Sequence, residues 1–166
     1  MIACKVLTVS DGVVAGSRED RSGDALVARL GEAGYELAQR RVVADGVQSV
    51  ADALRQMTAD FEGLLVTTGG TGFGPRDLTP EGTRAVIDRE APGLAEAMRR
   101  VSDADRPLGM LSRSVCGSRG AVLVCNLPGS STGAIECLEV ILPAVPHALE
   151  LLAGGGRIEC RLTCVA

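Results

Sequence analysis

Four glycines fall within six residues where the run Leu64-Leu65-Val66-Thr67-Thr68-Gly69-Gly70-Thr71-Gly72-Phe73-Gly74 ends, and Pro75-Arg76-Asp77-Leu78-Thr79-Pro80-Glu81 follows directly. A backbone without Cβ atoms can bring its N–H groups against a phosphate or a flat ring. A carboxylate at the rim of such a loop, here Asp77, can hold a divalent cation or orient a nucleophile. Asp45, in Ala44-Asp45-Gly46, is a second carboxylate placed just past a strand-like run. Hard oxygen ligands of this kind suit Mg²⁺, which keeps several waters and bridges substrate phosphates. Phosphoryl or nucleotidyl transfer is therefore the chemistry in view. Each aspartate taken singly also fits a helix cap or an Asx-turn.

A second small-residue loop, Asn126-Leu127-Pro128-Gly129-Ser130-Ser131, sets hydroxyls and backbone donors at a helix start. That is a natural anion site and equally a place for an N-cap. Arg113, between Ser112 and Ser114, can pair bidentately with a phosphate or with a surface carboxylate. The glycine loop lacks the Lys-Ser/Thr of a Walker A loop and the G-x-G-x-x-G spacing of the dinucleotide fingerprint. Ser10 lies in no G-x-S-x-G elbow, and His147 stands alone in a helical stretch, so a serine hydrolase is not indicated.

These groups need elements to hold them. Residues 2–9 read as a strand, and Ser10-Asp11-Gly12 turns out of it into a polar loop over 13–21. Ser22-Gly23-Asp24 offers N-cap chemistry for a helix over 25–33, ended by Gly34. A strand over 35–43, a helix over 47–60 and a strand over 64–68 follow, the last apolar on both sides and hence central and parallel. Pro80 opens a helix reaching 87, and 93–101 is helical. Residues 121–125 form another apolar strand, and 132–152 a long helical region bent or split at Pro143 and Pro146. Residues 157–165 alternate weakly, as a short strand or a loose tail. Alternating strands and helices imply an α/β fold with a mainly parallel sheet and right-handed crossovers. Ligands of such sheets bind beyond the carboxyl ends of the strands. Four polar or glycine-rich loops, at 10–11, 45, 69–77 and 126–131, converge on that rim.

Composition narrows the partners. The chain has 166 residues, enough for one domain with a real core, and a formal net charge of −4. That argues against bulk nucleic-acid binding and against a polybasic membrane patch. Aromatics are Tyr35, Phe61 and Phe73 alone, so stacking platforms for single strands are not expected. No apolar run is long enough to span a bilayer, and a strand begins at once, so a soluble, cytoplasmic chain without a signal peptide is expected. Cysteines stand at 4, 116, 125, 137, 160 and 164 with no C-x-x-C. Cys4, Cys125 and Cys137 read as small buried hydrophobes, and none of the six is needed for the chemistry. Cys160 and Cys164 leave a metal contact, an intermolecular disulfide or plain reduced thiols open.

The motifs Thr8-Val9-Ser10-Asp11, Asp20-Arg21-Ser22-Gly23, Thr67-Thr68-Gly69-Gly70-Thr71-Gly72, Pro75-Arg76-Asp77-Leu78-Thr79-Pro80-Glu81, Leu111-Ser112-Arg113 and Asn126-Leu127-Pro128-Gly129 together resemble the MoaB/Mog family of molybdenum cofactor biosynthesis. The likeness spans residue 2 to about residue 152 and leaves the tail 153–166 outside it, so 1–166 is read as one MoaB/Mog-like domain. It implies a three-layer α/β/α fold. It also implies Mg²⁺-dependent transfer of AMP from ATP to the phosphate of molybdopterin, with pyrophosphate released. The product then passes to a molybdenum insertase. The family's essential aspartates fall on Asp45 and Asp77, which the resemblance makes catalytic and metal-binding. Substrate and nucleotide contacts fall on Ser10, Asp11, Thr68, Gly69, Gly70, Thr71, Gly72, Ser112, Arg113, Asn126, Pro128, Gly129 and Ser130. A homotrimer is implied as well. Around Asp45 the chain reads Val43-Ala44-Asp45-Gly46 where the family often has V-P-D-E, which loosens that loop. A non-catalytic pterin-binding or scaffold module of the same fold, as in gephyrin, is the alternative. A CinA-like nucleotide-processing domain is a third reading, against which the R-D-L-T-P and N-L-P-G set speaks.

Overall fold

A computed structural model describes residues 1–103 and 107–154. Among these residues six strands form one sheet in the order β2-β1-β3-β6-β5-β4. They are β1 (Ile2–Val9), β2 (Tyr35–Val43), β3 (Gly63–Thr68), β4 (Arg89–Glu90), β5 (Cys116–Arg119) and β6 (Val122–Leu127). The four strands β2, β1, β3 and β6 are parallel, with Val6 opposite Val66 and Val66 opposite Cys125 at the centre. β5 and β4 pair antiparallel at the far edge. The helices are α1 (Asp11–Val14), α2 (Arg21–Glu32), α3 (Val47–Thr58), α4 (Thr79–Arg84), α5 (Pro92–Asp103), α6 (Ser131–Ile141) and α7 (Val145–Leu152).

Strand side chains alternate, so the buried apolar residues divide between the two faces of the sheet. Cys4, Val6, Leu64, Val66, Leu123, Cys125 and Leu127 pack with Leu26, Leu30, Met98, Leu138 and Ile141 from α2, α5 and α6. On the other face Leu7, Val9, Leu65, Val122 and Val124 pack with Val50, Leu54 and Met57 of α3 and with Val86. The expected three-layer α/β/α architecture is therefore present. β3 is buried at every position, which is what a central parallel strand covered by helices on both faces requires.

The chain departs from the sequence expectation at several points. Residues 13–21 are not all loop, because Ser10 caps the short helix α1, its Oγ accepting from Val13 N at 3.3 Å. α2 starts at Arg21 rather than 25. Its cap is Asp20, whose Oδ1 accepts from Gly23 N at 3.0 Å. A Cβ on Gly23 would lie 2.3 Å from Asp20 Oδ2, so this glycine inside the first turn makes room for the cap. β6 runs on through Asn126 and Leu127, which were expected in a loop. β4 and β5 carry the polar and small residues Arg-Glu and Cys-Gly-Ser-Arg, which show no strand periodicity. Only pairing makes them strands, β5 to β6 and β4 to β5. The long region 132–152 splits as expected, into α6, a 3₁₀ turn at Leu142–Ala144 and α7.

Cys4, Cys116, Cys125 and Cys137 are all buried. Burial pushes the Cys4 thiol up to about 11. A hydrogen bond between the Cys125 and Cys116 thiols, together with burial, raises that of Cys125. Cys160, Cys164 and the alternating stretch 157–165 lie outside the described residues. Among the described residues no helix is long and apolar enough to cross a membrane.

Candidate active site

Strand order places β2 on one side of β1 and β3 on the other, so successive connections leave the sheet in opposite directions. The carboxyl ends of β1 and β3 therefore flank a crevice of the kind in which open α/β sheets bind ligands. A cleft of about 810 Å³ opens there. Its wall is supplied by the ends of β1 and β3, the connection into α2, Asp45 after β2, Asp77 after the glycine loop, and Gly129 to Ser131 after β6.

The glycine loop is shaped by contacts that side chains would block. Gly69 has φ +98° and a Cβ there would sit 2.2 Å from the carbonyl oxygen of Val9, so β1 and β3 stay paired at the rim only because no Cβ is present. Gly70, at φ +64°, leaves room for the buried Thr79, whose hydroxyl donates to Gly69 O at 2.9 Å. Thr68 Oγ1 donates to Pro128 O at 2.7 Å, joining the ends of β3 and β6.

Two arginines hold the loop from outside. Arg113 donates to Gly72 O at 2.7 Å, to Asp77 O, and to the carboxylate of Glu81. Its backbone N–H donates to Thr71 O at 3.0 Å. The hydrogen bond from Arg113 holds the Glu81 carboxyl below its usual range. Arg76 forks onto Asp11 at 3.0 and 3.1 Å and donates to Asp45 O at 2.7 Å. That fork is the main reason the Asp11 carboxyl is held low. Asp11 and Asp45 also exchange hydrogen bonds, each backbone N–H donating to the other's carboxylate, at 2.7 and 3.0 Å. Three loops from β1, β2 and β3 are thereby tied into one rim.

Asp45 Oδ2 accepts from Asp11 N, and Asp77 Oδ2 accepts from Gly74 N at 2.9 Å. Among the described residues nothing donates to Oδ1 of either. A Cβ on Gly70 would lie 3.2 Å from Asp45 Oδ1, and one on Gly72 2.9 Å from Asp77 Oδ2, so both carboxylates abut the glycine loop. Among the described residues no cluster of three or more His, Cys, Asp or Glu gathers to form an all-protein metal cage. Two carboxylates on the wall of this cleft are nonetheless the donor set Mg²⁺ uses when water and phosphate complete its shell.

Of the residues singled out in the sequence, Ser10, Asp45, Thr68, Gly69, Gly70, Thr71, Gly72, Asp77, Gly129 and Ser130 line the cleft. Asp11, Ser112, Arg113, Asn126 and Pro128 are not on its wall. Asp11 and Arg113 are committed to the ion pairs above, and the Ser112 hydroxyl donates to Ser114 Oγ at 2.9 Å. Asn126 is fully buried, donating to Thr67 Oγ1 at 3.0 Å and Thr83 Oγ1 at 2.9 Å and accepting from Val115 N at 3.3 Å. Also on the wall, though not among the candidate site residues, are Arg18 and, from the motifs that carry the resemblance, Thr8 and Asp20. Asp20 has one oxygen on Thr8 Oγ1 at 2.8 Å and on Arg40 at 2.7 Å. Its signal was the spacing Asp20-x-x-Gly23, a cap-to-N3 interval.

An open sheet with a glycine-walled, carboxylate-bearing cleft at its switch point defines an α/β protein of the ligand-binding, doubly wound class. Within that class a family model described as "Probable molybdopterin binding domain" matches residues 5–147. The chain belongs to this family, as its resemblance to MoaB/Mog proteins implied. It is 39% identical over 154 residues to a molybdopterin adenylyltransferase of Helicobacter pylori, covering 90% of this chain and 86% of that protein. It is 38% identical to a gephyrin of Dictyostelium discoideum, covering 89% of this chain and only 22% of that much longer protein. The structure superposes on the molybdopterin biosynthesis enzyme MoaB of Thermus thermophilus with a TM-score of 0.86 and 44% identity, covering 93% of this chain and 98% of that one.

Proposed function

We propose that this chain is a molybdopterin adenylyltransferase of molybdenum cofactor biosynthesis, moving AMP from ATP to the molybdopterin phosphate. The observation that carries the reading is the pair Asp45 and Asp77, each with one carboxylate oxygen that meets no donor among the described residues and each against the glycine loop. Relatives over nearly the same length bear the name of that activity. An oxygen of the molybdopterin phosphate forms the new bond to the α-phosphorus. The bond from that phosphorus to the β-bridging oxygen breaks, and pyrophosphate leaves with the electron pair. Such a transfer asks the protein mainly for position and charge stabilisation.

The residues divide that work. Asp45 and Asp77 would hold Mg²⁺, which supplies charge neutralisation on the phosphates. The bare backbone of Gly69 to Gly72 lets N–H groups approach a phosphate or the flat faces of the substrates. The amino end of α6, beginning at Ser131, favours a phosphate monoester. Arg76 and Arg113 act on the loops rather than on substrate, through the contacts given above. The homotrimer and the delivery to a molybdenum insertase that the resemblance implies, with the cytoplasmic location expected from the sequence, complete the reading. Light scattering that returned a monomer mass would remove the first of these.

The test is Mg²⁺-dependent AMP transfer from ATP to molybdopterin by wild type, Asp77→Ala and Asp45→Ala, with folding checked by circular dichroism. Transfer by wild type and its loss in folded Asp77→Ala is the expected result, and Asp45→Ala should also be impaired. Wild-type turnover in either variant returns that aspartate to a loop-capping role. Molybdopterin binding without any transfer by wild type selects the scaffold alternative.

A further inference from the structure

Among the described residues the cations on the cleft wall are Arg18 and Arg21. Arg21 is neutralised by Glu19, with Nε donating at 3.0 Å. Arg18 has no carboxylate within ion-pair distance and no side-chain hydrogen bond among the described residues. The carboxylates beside it in sequence are already engaged: Glu19 by Arg21, and Asp20 by Thr8, Gly23 and Arg40. Its backbone, by contrast, is pinned. The N–H groups of Ser17 and Arg18 and the Ser17 hydroxyl all donate to Gly12 O, at 2.9, 3.1 and 3.1 Å. Three hydrogen bonds thus fix the backbone at Ser17 and Arg18, while the exposed Arg18 side chain, on the wall of a polar cleft, has no partner among the described residues.

Resting on the transferase reading, we infer that Arg18 is the polyphosphate-binding residue of this cleft, contacting the pyrophosphate end of the nucleoside triphosphate. The wall's carboxylates that form no contact ion pair among the described residues, Asp45 and Asp77, come from the connections after β2 and β3, whereas Arg18 comes from the connection after β1. Anionic substrate is thereby met by full positive charge on a different loop from the carboxylates. Of the two phosphate-bearing substrates, the triphosphate gains most from it, because negative charge grows on the leaving pyrophosphate as the bond to the α-phosphorus breaks. The neutral donors near Ser130 and Ser131 suit the monoester. Arg18 lies outside the motifs that carry the family resemblance.

The experiment compares wild type, Arg18→Ala and Arg18→Lys. Pyrophosphate is titrated into each protein by calorimetry in EDTA, and the KM values for ATP and for molybdopterin are measured separately. A charge-assisted contact predicts pyrophosphate binding weakened on the order of tenfold in Arg18→Ala, with partial recovery in Arg18→Lys. The ATP KM should rise in parallel and the molybdopterin KM should not move. Unchanged pyrophosphate affinity and ATP KM in Arg18→Ala, no pyrophosphate binding by wild type, or a shift in the molybdopterin KM instead, would each overturn the assignment. Arg18-dependent pyrophosphate binding by a protein that transfers no AMP would overturn the transferase reading and leave this one standing. Because the Arg18 head makes no hydrogen bond or ion pair among the described residues, loss of fold is not expected in either variant.

Discussion

Asn126 offers the sharpest separation between holding the protein together and holding a ligand. Its motif resembles a substrate loop, yet its side chain is fully buried and makes three protein hydrogen bonds, to Thr67, Thr83 and Val115 N. Asn126→Ala removes all three. At about 1 kcal/mol each the loss is about 3 kcal/mol. The Val115 N–H is left without that acceptor, which adds to the cost, while the two threonine hydroxyls can rotate toward other acceptors, which offsets part of it. A net destabilisation of about 2–4 kcal/mol follows. For a chain of this size that lowers Tm by roughly 5–15 °C. Urea unfolding followed by far-UV circular dichroism reads it as a lower midpoint at unchanged slope. Because Thr83 lies on α4 and Thr67 on β3, the substitution also loosens the helix that follows Asp77. Turnover should therefore fall with temperature as the fold does, while ATP and molybdopterin KM at low temperature stay near wild type. An Asn126→Ala protein of wild-type stability with a raised KM would refute the reasoning and return Asn126 to substrate contact.

Two further outcomes follow from the rim. Gly69→Ala should cost about 1–3 kcal/mol from backbone conformation alone, plus the clash with Val9 O, and should abolish nucleotide binding before it abolishes folding. Thermal unfolding and ATP titration of the same sample check the order, and intact ATP binding would show that the loop tolerates a Cβ. Asp11, held by the Arg76 fork, should titrate below its ordinary 3.8. A depressed carboxyl contributes stability that is present above the ordinary value and lost as pH falls through the lower folded one. NMR titration of the Asp11 carboxyl should therefore show its midpoint rising toward ordinary in Arg76→Gln, and equal midpoints in the two proteins would mean the fork does not hold in solution.

Much of the cleft was legible from residue types and order. Apolar β-branched runs followed by glycine-rich or polar turns are strand ends, and alternation with helices puts those ends on one rim. Asp45, Asp77 and Gly69 to Gly72 therefore reach the wall as their sequence positions demand. What could not be read were relations that depend on which neighbour a strand receives. Arg89-Glu90 and Cys116 to Arg119 have no periodicity of their own and become strands through a partner's hydrogen bonds. Asn126 looked like a loop donor until pairing carried β6 two residues further and turned it inward. Arg113 had a phosphate and a carboxylate as equal suitors. Glu81, 32 residues away, takes it because folding brings α4 beneath the glycine loop. Local sequence determines backbone preference and polarity, which act over a few residues. The partner of a long side chain is settled by packing between elements distant in the chain, so the sequence determined which loops bear the chemistry and the tertiary structure decided which of their side chains face the cleft.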